Sequence, residues 1–234
     1  MNMREDLSTL RQEGEALRMN GVRHLLASWP SVVRGGALLL WGGALTIGCT
    51  IMMARHTIPL PAPELSDDRI AQALSMHRER ASSGWMMTHV LLSTCPCSQR
   101  ITTHLLERGP GQGVEEHIVW IVEDAEVAER AWAGGFVERA GARGFHIHVV
   151  EHEQLRERYH IEAAPLLLIQ DKNEKLFYSG GYTSRKQGLL IEDQEIFEGI
   201  RARHGPHEAL PLFGCAASRE LRETIDPTGW FSGW

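Results

Sequence analysis

Between Arg34 and Arg55 the chain carries "GGALLLWGGALTIGCTIMMA", about 20 residues without a single charge. A helix rising 1.5 Å per residue over that length matches the roughly 30 Å hydrocarbon layer of a bilayer. The stretch predicts one transmembrane helix over 34–55. It divides the chain into a short leading segment, 1–33, and a larger part that has to fold by itself. Two other readings stay open. One is a buried helix of a soluble domain. The other is a cleaved signal peptide, although its apolar core normally spans 7–15 residues and here more than 30 residues come first.

Flanking charge orients the segment. Arg18, Arg23 and Arg34 lie on the leading side; Arg55 and Arg69 lie on the other, with Asp67 and Asp68 nearby. The bias places the N-terminus in the cytoplasm. Leu7, Leu10, Leu17 and Leu25 recur at helical spacing, so the leading segment predicts an amphipathic helix lying on the membrane surface. The stretch "LTIGC" looks like a degenerate lipoprotein box with Cys49 as the lipidated residue, but Thr46 stands where an aliphatic residue belongs. Under either reading the chain is tethered, with the lipid bilayer as partner through residues 35–54. The expected location is a bacterial inner membrane, single-pass, with the main domain in the periplasm.

The exported part holds roughly 170 residues, enough to bury about two-thirds of its unfolded surface without help from cysteines. Its cysteines, Cys95, Cys97 and Cys215, therefore invite a chemical reading rather than a structural one. Net charge is −6 and no basic block stands out, which excludes nucleic acid as the main partner. Neither a nucleophile elbow nor an H-E-x-x-H motif is present.

"PLPAPELSDD" reads as a stalk, and its Asp pair suits entry into a helix from Arg69 to Ala81. Residues 56–84 form this stalk and leading helix. "WMMTHVLLST" predicts a buried strand. "CPCSQRITTHLLERG" predicts a helix, with Pro96 at its first position and Gly109 at its stop. "EEHIVWIVED" is a second strand and "AEVAERAWAGGFVERAG" a second helix. "FHIHVVE" is a third strand and "HEQLRERYH" a short helix. "APLLLIQD", the turn "KNEK" and "LFYSGGY" predict an antiparallel hairpin, and "IEDQEIFEGIRARHG" a closing helix. Residues 205–234 form an extension in which "GCAASRE" predicts the start of a helix. Trp120, Trp132, Phe136, Phe145 and Phe177 are expected in the core. "ERGPGQGVEE" precedes a strand, so it is a loop and not a phosphate cradle.

This order of elements, with cysteines where the first strand meets its helix, resembles the thioredoxin-like fold over about 120 residues, 85–204. The segment "YHIEAAPLLLIQDKNEKLFYSGGY", with Gly180 and Gly181 after the second hairpin strand, resembles the family stretch in which a cis-proline opens a strand. The resemblance implies an α/β fold, a thioredoxin-like mixed sheet flanked by helices, here preceded by one N-terminal transmembrane helix. It implies a cis peptide at Ala164–Pro165 beside the cysteines, where the preceding backbone edge pairs with extended substrate. The tether makes the whole similar to the membrane-anchored thioredoxin-like proteins of bacterial envelopes.

The family's motif has two residues between its cysteines and this chain has one. Either Cys95 takes the first-cysteine place and Cys97 lies one residue early, or Pro96 and Cys97 match the family's Pro-Cys pair and Thr94 stands at the nucleophile's place. The first is preferred because it puts Cys95 at the helix cap, where unpaired N–H groups favour a thiolate. Alpha carbons two apart on a helix are about 5.5 Å from one another, within disulfide range, though the smaller ring strains the bridge. Cys215 is left over, able to resolve a bond to Cys95 or Cys97 if the extension folds back, or else a buried inert thiol.

The resemblance therefore implies a thiol–disulfide oxidoreductase. Cys95 attacks or is attacked, Cys97 resolves, Pro165 shapes the substrate groove and Cys215 acts as a third relay thiol. Partners are cysteine-containing exported proteins and a membrane redox partner, with no cofactor. Two alternatives remain. One is a Cu(I)-binding assembly chaperone with Cys95 and Cys97 as metal ligands, since Cu(I) favours soft thiolates. The other is a non-catalytic interaction module. His89, on the strand leading to the site, and His146 and His148, on one face of their strand, are candidate further ligands.

Overall fold

The computed structural model describes residues 31–57, 59–76, 84–122, 135–186, 188 and 190–226. The expected leading helix, Trp132 and the second half of the helix expected over 69–81 lie outside them, as does most of the second predicted helix. The chain divides into two units, Met1–His56 and Thr57–Trp234. Helix α1 runs Ser31–Thr57, all but its last residue in the first unit. Leu38, Leu39, Leu40, Trp41, Ile47 and Met53 are exposed along it. Among the described residues no helix is long and apolar enough to cross a membrane. The transmembrane helix expected over 34–55 is thus not shown.

The second unit opens with α2 (Asp68–Ser75), whose N-cap Asp67 accepts the Arg69 backbone N–H. Then follow β1 (Trp85–Leu92), α3 (Pro96–Arg108), β2 (Val114–Val122), α4 (Phe136–Ala142), β3 (His146–Glu151) and α5 (His152–Tyr159). After a short β4 (Ala163–Ala164) come β5 (Leu166–Gln170), β6 (Leu176–Gly180) and α6 (Asp193–Arg203). The extension adds β7 (Cys215–Ala216) and α7 (Arg219–Ile225).

Five strands form one mixed sheet in the order β3-β2-β1-β5-β6. β1, β2 and β3 run parallel, β5 antiparallel to β1, and β6 antiparallel to β5. The central strands are buried on both faces, and β1 is buried from Met86 to Leu92, its polar Thr88 and His89 included. Alternation splits it: Met86, Val90 and Leu92 meet α2 and α5, while Met87 and Leu91 meet α3, α4 and α6. The hairpin turns on Asp171, whose carboxylate accepts the backbone N–H groups of Asn173 and Lys175. The mixed α/β sheet flanked by helices agrees with the expectation. Trp120, Phe145 and Phe177 are buried, and Phe136 packs against them.

The extension departs from it. Residues 215–216 form a strand, not a helix start; the helix begins at Arg219, capped by Ser218, whose hydroxyl accepts the Leu221 N–H. β7 pairs antiparallel with β4, Ala163 opposite Ala216 and Ala164 opposite Cys215. Upstream, the Leu60 N–H donates to Leu212 O, so the stalk also holds the extension.

Candidate functional site

Cys95 is the N-cap of α3, in extended backbone, with Pro96 at the first helical turn. Its carbonyl accepts the Gln99 N–H at 3.0 Å, and its own N–H donates to Leu92 O at 3.1 Å. Ser98 staples the turn: its hydroxyl, fully buried, accepts the Leu92 N–H at 3.0 Å. The strand-to-helix turn is therefore held from both sides.

The peptide bond Ala164–Pro165 is cis. Cys95 Sγ lies 3.9 Å from the Ala164 carbonyl oxygen. Cys215, carried on β7, is bonded to Cys95 in a disulfide, with alpha carbons 6.0 Å apart. Cys95 is 1% exposed beneath this bridge. Cys97 is a free thiol, half-buried. It lines a pocket of about 260 Å³ together with Arg100, Pro165, Tyr182, Lys186 and Phe213. Burial pushes the Cys97 thiol up, and the charges of Lys186 and Arg100 offset part of this. The four residues singled out in the sequence, Cys95, Cys97, Pro165 and Cys215, thus converge. Cys49 is a free, exposed cysteine on α1, in the other unit.

Behind the turn lies a charged cluster that the sequence did not reveal. Arg108, near the end of α3, donates to both Glu116 oxygens at 2.9 and 2.7 Å and to Asp193 Oδ2 at 2.7 and 3.0 Å. His89 Nε2 is 2.9 Å from Glu116 Oε2, and its Nδ1 is 2.9 Å from the Tyr182 hydroxyl. His104 Nε2 is 3.0 Å from Asp193 Oδ1. Burial works to raise the Glu116 carboxyl, but His89 and Arg108 more than reverse it and hold it at about 2. Asp193 is likewise at about 2: burial is outweighed by His104 and Arg108. The cluster ties α3 and α6 to the sheet, and through Tyr182, whose hydroxyl is 3.3 Å from Leu166 O, to the residue after Pro165. His89 therefore points into this network. The sequence signal was Glu116 in a strand that runs on into the apolar Ile118–Val122, a charge that needed a buried partner.

Among the described residues, Glu115, His117 and His146 each bring one metal-competent donor atom within 4.8 Å of the others. His117 Nδ1 is 2.8 Å from His148 Nε2 and its Nε2 is 2.6 Å from Glu115 Oε1. They sit toward the starts of β2 and β3, the end of the strands away from Cys95. The donors engage one another, and none of them is a neighbour of the cysteines.

No family model matches the chain, and no curated protein does. Solved structures do. A hypothetical protein of Sinorhizobium meliloti 1021 matches at 18% identity and TM-score 0.48, covering 62% of this chain and 82% of its own. An uncharacterized conserved protein of Geobacillus kaustophilus matches at 16% and 0.43, covering 58% and 78%. StoA of Bacillus subtilis matches at 17% and 0.33, covering 43% and 75%.

Proposed function

We propose that the protein is a membrane-tethered thiol–disulfide oxidoreductase acting on exported cysteine-containing proteins. One observation carries the reading: a helix-capping cysteine is bonded to a second cysteine at a cis-proline edge, with a third thiol lining the adjacent pocket. The exchange balances without a cofactor. The Cys97 thiolate attacks Cys95, a Cys95–Cys97 bond forms, the Cys95–Cys215 bond breaks, and Cys215 leaves as a thiolate that takes up a proton. A thiol of the partner then attacks Cys95 and releases Cys97. The partner's second thiol attacks the mixed disulfide and leaves Cys95 reduced. A membrane redox partner restores the disulfide.

The tether belongs to the same proposal. A helix with Leu38, Leu39, Leu40 and Trp41 exposed needs an apolar environment, and a bilayer supplies it. The arginine bias then places the catalytic unit in the periplasm, where disulfides persist.

The test uses the full chain. It is equilibrated in dithiol–disulfide buffers, quenched by alkylation and read by mass spectrometry. The proposal expects reversible conversion of the Cys95–Cys215 bond, with transfer to Cys95–Cys97 abolished in Cys97→Ser. A bond that no dithiol opens in the folded chain contradicts it. One observation favours a second reading: on reduction the site offers three soft thiolates, which suit Cu(I). Stoichiometric tight Cu(I) with no exchange turnover would select a copper chaperone.

A further inference from the structure

The extension does more than supply a third cysteine. Residues 212–218 run as a strap across the edge where the exchange reading places a partner chain. Cys215 lies opposite Ala164, and the Ala217 and Ser218 N–H groups both donate to Glu162 O, at 2.6 and 3.0 Å. The backbone approach is close. A Cβ on Gly214 would stand 2.6 Å from Ala164 C and 2.7 Å from Pro165 Cδ, and inside the contact shell of Ala164 O. Those are backbone and ring atoms, which no rotamer change moves aside. After the cysteine, Ala216 and Ala217 are 7% and 0% exposed, in a space filled by small side chains. Before it, Phe213 lines the pocket that holds Cys97.

We propose that this strap is a resident copy of the substrate, and that partner segments bind the same edge as strands with glycine immediately before the reacting cysteine. The inference rests on the exchange reading and names its substrate class: extended segments of the pattern aromatic-Gly-Cys-small-small. The strap and a partner cannot occupy Ala163–Ala164 together. Reaction with a partner therefore requires the strap to leave, and the exchange at Cys95 that frees Cys215 releases its covalent hold. The exchange also runs in reverse, and a partner disulfide then reaches the same mixed disulfide in balance. The reduced Cys95 thiolate attacks the partner's cysteine sulfur, the partner's disulfide breaks, its leaving thiolate departs, and a Cys95–partner bond forms.

The experiment uses the reduced full chain and two peptides, Leu-Phe-Gly-Cys-Ala-Ala and Leu-Phe-Ala-Cys-Ala-Ala, each with a thiopyridyl group on its cysteine. Release of thiopyridone gives the rate, and mass spectrometry places the adduct on Cys95. Overpacking of this size predicts that the glycine peptide reacts about tenfold faster or more, a ratio absent when glutathione replaces the protein. Gly214→Ala, which cannot seat its own strap, is expected to react severalfold faster with the glycine peptide than the wild type does. Equal rates for the two peptides, or an unchanged rate in Gly214→Ala, overturn the inference and leave the exchange reading standing. So does reaction of Cys95 with dithiodipyridine but with neither peptide. Failure of Cys95 to react with any of the three reagents overturns both.

Discussion

Replacing Glu116 by glutamine removes one of the two carboxylates that hold Arg108 under the sheet. Glu116 is 2% exposed and accepts two hydrogen bonds from that guanidinium. Breaking a buried ion pair costs about 3–5 kcal/mol, and Asp193 still partners Arg108, so the lower end, about 3 kcal/mol, is expected. For a folded unit of this size that lowers Tm by roughly 6–12 °C. The pH dependence has a definite sign. The folded Glu116 pKa, about 2, lies below the ordinary 4.5. Its contribution is therefore complete above pH 4.5 and is lost as the pH falls through the folded value. Asp193 behaves alike, from 3.8 toward about 2. Each contribution is on the order of 2–3 kcal/mol, and the two do not add fully because they share Arg108. Thermal melts of the oxidised full chain, wild type and Glu116→Gln, from neutral pH downward, check both points. The wild type should lose Tm steeply in the acid window, and the variant should start lower and lose less. A variant with wild-type Tm at neutral pH and an unchanged acid slope refutes the reasoning.

Burial of Cys97 predicts that its alkylation rate in the oxidised chain keeps rising with pH beyond the ordinary thiol range. A plateau near neutrality, read by timed quenching, contradicts it. Gly181→Ala places a Cβ against the Pro211 carbonyl and 3.2 Å from Leu212 Cα, so the strap is expected to loosen at about 1–3 kcal/mol. Hydrogen exchange over residues 210–218 reads this, and unchanged protection counts against it. The proposed tether predicts that the full chain stays in the membrane pellet after alkaline carbonate washing, and a chain released to the supernatant contradicts it.

What was legible in the sequence was local. Pro96 after Cys95, Gly109 at the helix stop, the Asp171 turn and the apolar strands all act through neighbouring residues. The strand at Cys215 was not legible, because its two alanines and following serine carry helix-entry signals. It is a strand only because the Ala163–Ala164 edge, distant in sequence, offers it hydrogen bonds. The buried cluster was hidden for the same reason. Arg108, Glu116 and Asp193 each belong to a different element, and only the fold brings them within bonding distance. The convergence of Cys95, Cys97, Pro165 and Cys215 was expected for three of the four from family resemblance. The fourth depended on how the extension folds back.

The proposed exchange stands most directly on the state of three sulfur atoms in the isolated full chain. Thiols are blocked at lysis, the protein is digested without reductant, and fragmentation assigns each cysteine. The prediction is a peptide pair crosslinked through Cys95 and Cys215, with the blocking group on Cys97. A bond between Cys95 and Cys97 with Cys215 blocked, or all three blocked, would contradict it.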